Sequence, residues 1–86
     1  MAKGKRLNKK NAVYTPLSGT TTMINYSEEK KILEVEFKQK NRVYHYLDVE
    51  LDVWQQYKEV VRSAKSSGIF VNKEIKPNYE GYELDI

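Results

Sequence analysis

From residue 32 to residue 38 the chain alternates. Leu33, Val35 and Phe37 fall on one side of an extended backbone, and Glu34 and Glu36 fall on the other. A period of two predicts a half-buried strand. Residues 20–26, TTTMINY, are rich in β-branched side chains and predict a strand before it. Residues 42–48, which include Val43-Tyr44-His45-Tyr46-Leu47, predict a strand after it. Polar segments at 27–30 and 39–41 supply the two turns. The period then lengthens to about 3.6. Val53, Tyr57, Val60, Val61 and Ala64 form one stripe with Trp54 beside it, while Gln55, Lys58, Glu59 and Arg62 lie outside. This predicts an amphipathic helix, with Asp52 and Gln55 spaced as a capping box or with a start one turn earlier. Ser66-Ser67-Gly68 breaks it. Residues 69–76 predict a second helix, with Val71 and Ile75 four apart and Pro77 blocking continuation. Strands in one run and helices in the next predict an α+β fold. The expected form is a three-stranded antiparallel meander followed by two helices packed on one face (β-β-β-α-α).

The ends are of a different character. Residues 1–12, MAKGKRLNKKNA, are polar and basic with little to bury, and are expected to be a disordered arm. The domain is expected over residues 13–79, and residues 80–86 form an acidic tail. The chain has 86 residues, enough for one small core. It has no cysteine and one histidine, which excludes disulfides, thiolate metal sites and histidine clusters. No metal or cofactor is expected. No apolar run approaches the roughly 18 residues of a membrane span. The basic N-terminus lacks the apolar stretch of a signal peptide, so the expected location is the cytoplasm.

The formal charge of +3 is unevenly placed. Residues 1–27 carry Lys3, Lys5, Arg6, Lys9 and Lys10 and no acid. Residues 28–86 carry ten Lys and Arg against twelve Asp and Glu, a net of −2. The basic excess therefore belongs to the arm, which could contact RNA, DNA or an acidic protein through charge, or could serve as a solubilising tail.

Tyr44 and Tyr46 share a face, and which face depends on the hairpin. If Lys40-Asn41 forms a two-residue turn, Phe37 opposes Tyr44 and Val35 opposes Tyr46. Both tyrosines then join the core edge and His45 faces outward. A register one residue different exposes the pair as a stacking platform for single-stranded RNA bases. Lys38, Lys40 and Arg42 flank the hairpin tip, and Lys73 and Lys76 lie on the second helix. Brought together they would take phosphates; apart, they are solvated lysines. Ser66 and Ser67 precede a helix start, where they could cap it or flank an anion site. Asn72 is polar within an apolar stretch and could read a partner. His45 has no nucleophile or carboxylate at a suggestive spacing, which points away from an enzyme.

These residues resemble a known small family. The Tyr44-His45-Tyr46 centre follows the alternating Leu33, Val35, Phe37 strand. A helix follows, then Ser67-Gly68-Ile69-Phe70-Val71-Asn72 with Ile75, Lys76 and Tyr79. This order is similar to the KTSC domain, found alone in bacteria and their viruses and also at the C-terminus of some lysyl-tRNA synthetases. The match spans roughly residues 17–79. It departs at Ile24-Asn25-Tyr26, where similar proteins tend to have Ile-Gly-Tyr, and at Lys40-Asn41, where they tend to have Asp-Gly or Asn-Gly. The resemblance implies RNA binding only through the synthetase fusions. The expectation is a non-enzymatic module that binds RNA or another polyanion through Lys38, Lys40, Arg42, Tyr44, Tyr46, Asn72, Lys73 and Lys76. The alternative is a protein-interaction module using an uncovered sheet face or the Ile69-Phe70-Val71 region.

Overall fold

Alternation places Leu33 and Val35 of β3 (Ile32–Phe37) in the main core, both fully buried. The computed structural model describes residues 5–84. β2 (Thr21–Ser27) pairs with β3 so that Ile24 opposes Val35 and Tyr26 opposes Leu33. β4 (Val43–Tyr46) pairs with the other edge of β3. α1 (Leu51–Arg62) and α2 (Ser67–Phe70) follow. Trp54 and Tyr57 of α1 pack with Val71, Ile75 and the inward residues of β2, β3 and β4 in one cluster. Trp54 stacks on Tyr26 with ring centroids 5.5 Å apart. The α+β arrangement, antiparallel sheet and helix pair are those the periodicity predicts.

The sheet has five strands rather than three. β1 (Val13–Tyr14) pairs with β2, and β5 (Gly81–Glu83) pairs with β4, giving the order β1-β2-β3-β4-β5. Two or three residues are too few to show a period, so neither strand is visible in the pattern. Each forms because an edge strand offers unpaired N–H and C=O groups. Residues 81–83 of the expected tail therefore belong to the sheet, while Asp85 and Ile86 lie outside the described residues.

Both helices start earlier than the capping box and the apolar spacing predict. α1 is preceded by an extended Glu50, so Asp52 lies in the first turn rather than at its cap. There its charge still complements the helix N-terminus. The predicted second helix is α2 continued by a wider π turn over Val71–Ile75. The Ser66 side chain accepts from Ile69 N at 3.1 Å, so this serine caps the helix.

The basic arm departs furthest from expectation. Residues 5–12 lie on the face of the sheet opposite the helices, with a 3-10 turn at Lys9–Asn11. Leu7 is buried there. The outward face of β3 carries Glu34 and Glu36, and Arg6 pairs with both, at 3.5 and 2.9 Å. The carboxylates that mark that face as solvated are covered by a segment 28 residues away in sequence. Residues 1–4 lie outside the described residues.

Candidate nucleic-acid interface

The hairpin decides where the tyrosines go. Residues 38–41 form a turn longer than two residues, containing a 3-10 segment over Gln39–Asn41. Lys40 and Asn41 are both left-handed, with φ of 58° and 50°. Phe37 N donates to Arg42 O at 2.7 Å and closes the turn. The register is therefore Val35 opposite Tyr44 and Leu33 opposite Tyr46, two residues from the expected one. A slip of two preserves the face. Tyr44 and Tyr46 remain on the helix side, Tyr46 buried and Tyr44 half-buried. Their rings stack at 6.1 Å with 17° between planes, and Phe37 meets Tyr44 edge-on at 5.7 Å.

A cleft of about 630 Å³ opens between this hairpin and the π turn. Phe37, Arg42, Tyr44 and Tyr46 line it from the hairpin, Asn72 and Lys76 from the π turn and its end. Thr20 and Tyr79 line it from the loops on either side. The Lys76 ammonium sits 5.1 Å from the Phe37 ring centre, within cation–π range. Arg42 Nε lies 3.8 Å from a Glu83 carboxylate oxygen, both half-exposed. Burial, with the neighbouring Tyr44, pushes the Tyr46 hydroxyl up to about 12, so it remains a donor at neutral pH. Gly81 is required on the far side, because a Cβ there would fall 2.5 Å from the Tyr46 ring.

Five of the eight predicted site residues thus meet in one cleft: Arg42, Tyr44, Tyr46, Asn72 and Lys76. Lys38, Lys40 and Lys73 are exposed and stand outside its lining. Tyr46, enclosed by Gly81 and the core, is a wall rather than a platform, and Tyr44 supplies the accessible ring. Thr20 carries no pattern that marks it, and Tyr79 enters the sequence reading only through the family resemblance; their place in the cleft comes from the closure of the fold.

His45 corrects a second expectation. It is buried, and its Nε2 lies 2.8 Å from Glu34 Oε2 across the strand pair. A carboxylate only accepts, so Nε2 carries the hydrogen. The signal was cross-strand rather than local: either register sets a glutamate opposite His45. Glu34 also accepts from Leu7 N at 3.0 Å. Burial pushes its carboxyl pKa up, but the bonds from His45 and Leu7 and the charge of Arg6 outweigh burial and hold it below the usual value. Asn25, at the departure from Ile-Gly-Tyr, is fully buried here. Its amide donates to Asn8 O at 3.1 Å and so ties the arm to the sheet.

A second polar chain joins the loop before β2 to the helices. Thr15 Oγ1 and Thr21 Oγ1 are 2.7 Å apart, Thr21 Oγ1 donates to Ser67 Oγ at 2.9 Å, and Ser67 Oγ lies 2.7 Å from the Tyr57 hydroxyl. Ser67 is thereby committed to buried structure. Among the described residues, no group of three or more His, Asp or Glu could hold a metal ion. None of their helices is long and apolar enough to cross a membrane.

Comparison with known proteins fixes the lineage. The family model for the KTSC domain matches residues 18–79, most of the chain. The chain belongs to the KTSC domain family. A crystal structure of a KTSC domain protein from Yersinia pestis superposes with a TM-score of 0.62 at 25% sequence identity, covering 78% of this chain and 87% of that one. No curated protein matches the chain. The matched span contains every residue of the cleft except Gly81, while the arm that covers the opposite face lies outside it.

Proposed function

We propose that this KTSC domain is a non-catalytic module of bacterial or phage origin that binds single-stranded RNA in the cleft, working in the bacterial cytoplasm. The observation that carries the reading is the convergence of Arg42, Lys76, Tyr44 and Asn72 on one concavity. An aromatic ring takes the face of a base, cations take phosphate, and an amide can meet a base edge. The resemblance to a domain appended to lysyl-tRNA synthetases points to the same chemistry. The arm contributes less charge than its composition suggests, because Arg6 is spent on Glu34 and Glu36. Titrating single-stranded RNA at 50 and 200 mM salt tests the proposal. Tyr44→Ala is expected to weaken binding about fivefold or more, from the roughly 1–3 kcal/mol of a base stack. Absence of binding at low salt refutes it.

One observation favours a second reading, a protein-interaction module. Tyr14, Leu17 and Ile69 are 60%, 85% and 58% exposed and offer apolar surface to a partner. The sheet face proposed for that role is covered by the arm, so these residues are what remains for it. A pull-down that captures a protein without nuclease-sensitive material, and fails with Leu17→Ser, supports this reading; unchanged capture with Leu17→Ser counts against it.

A further inference from the structure

The cleft's charge is too local to track a strand. Proteins that hold single strands without sequence preference run a continuous basic groove beneath the backbone. Among the described residues, Arg42 and Lys76 are the cations that line the concavity. On the β5 side the lining residues Tyr79 and Gly81 are interleaved with the exposed acids Glu80 and Glu83, and Glu83 already faces Arg42. A chain of phosphates leaving that way meets like charge. Towards the hairpin tip, Lys38 and Lys40 are exposed but stand off the cleft. The walls come from four separate segments, and the volume of about 630 Å³ is within the roughly 300–1,000 Å³ of sites that enclose one small ligand.

We infer that the cleft is a receptor for one nucleotide, its base against Tyr44 and its phosphate held by Arg42 and Lys76, with at most one further phosphate reaching the hairpin tip. This rests on the nucleic-acid reading above and sharpens it. The domain recognises a nucleotide unit, free or at one position of an RNA, rather than a length of strand. Affinity is then set within the first one or two nucleotides. Salt dependence is shallow, since one or two neutralised phosphates of a single strand give a slope of about −0.7 to −1.4 in log K against log salt.

The test is a titration of the full chain with uridine 5′-monophosphate, ribose 5-phosphate and oligouridylates of two, four and eight nucleotides, followed by amide chemical shifts. The expected result is saturable binding of the mononucleotide with shifts at residues 42–46 and 72–76, and weaker binding of the sugar phosphate. Affinity should rise less than tenfold from two to eight nucleotides, which allows for the several registers an eight-mer offers. Lys76→Gln and Arg42→Gln, both at exposed positions, are each expected to weaken mononucleotide binding and to flatten the octanucleotide salt slope by no more than about 0.7, the share of the one phosphate they hold together. A tenfold or larger rise with length, or a slope steeper than about −3, overturns the one-nucleotide site while leaving RNA binding standing. Failure of every probe at low salt overturns both. Binding of sugar phosphate as tight as that of the mononucleotide removes the base from the inference and overturns it.

Discussion

Glu34→Gln is the sharpest test of how the arm is held. The substitution keeps volume and one acceptor but removes the charge at a fully buried position. In the native protein the carboxylate accepts from His45 at 2.8 Å and Leu7 N at 3.0 Å, with Arg6 and the Asn25 amide each 3.5 Å away. Hydrogen bonds to a charged group contribute about 1.5–3 kcal/mol each, and severing a buried ion pair from one side costs about 3–5 kcal/mol. The glutamine also turns an NH2 group, with two N–H donors, towards neighbours that are donors themselves. A loss of about 3 kcal/mol is expected, a large part of the roughly 5–15 kcal/mol typical of a domain. Urea unfolding followed by Trp54 fluorescence reads it, since Trp54 is the sole tryptophan, buried and stacked on Tyr26. Acid titration supplies a second reading. Because the folded carboxyl has a depressed pKa, its contribution is fully present above the unfolded value of about 4.3 and is lost as pH falls through the folded value. The native protein should therefore lose stability below about pH 4.3 more steeply than the glutamine variant. A destabilisation below 1 kcal/mol with the same acid slope in both proteins would falsify the reasoning.

Three further substitutions probe other parts of the fold. Ala64 follows α1 with φ of 59°, where a side chain is disfavoured by about 1–2 kcal/mol and glycine is not. After the entropy glycine loses on folding, Ala64→Gly should stabilise by about 0.5 kcal/mol and raise Tm by about 2–4 °C in a thermal melt; a lower Tm contradicts this. Gly81→Ala drives a methyl into the Tyr46 ring, so a loss of about 1–3 kcal/mol is expected, together with faster amide exchange at Leu84, whose N–H bonds Val43 O. Glu83→Gln releases Arg42 from an exposed pair worth about 0.2–1 kcal/mol and should tighten RNA binding up to about fivefold; weaker binding would show that Glu83 positions Arg42 rather than competing for it.

Local pattern carries a definite share of this molecule. The alternation of residues 32–37 requires a strand with Leu33 and Val35 on one face, and the 3.6 period from Val53 requires a helix with Tyr57 on its inward side, although Ala64, the last residue of that stripe, lies exposed beyond the helix end. Those two facts dictate an α+β core, and both hold. The face of Tyr44 and Tyr46 stays open between two registers until the hairpin decides it: the observed pairing lies two residues from that of a two-residue turn, which changes their partners and leaves them on the helix side. Five of the eight residues singled out from the sequence line one cleft, though nothing local says which of the lysines would face it.

What the pattern cannot hold is any relation between segments far apart in the chain. Glu34 reads as solvated because alternation reports only which face a residue takes, and what covers that face is decided by Arg6 and Leu7, 28 and 27 residues away. β1 and β5 are too short to own a period and exist through the edges they complete. The cleft draws its walls from a loop, a hairpin, a π turn and the approach to β5. A strand's period is set by its own backbone geometry and is written in consecutive residues. Burial of a carboxylate or closure of a cleft is set by the free energy of distant groups meeting, which only the folded chain brings about.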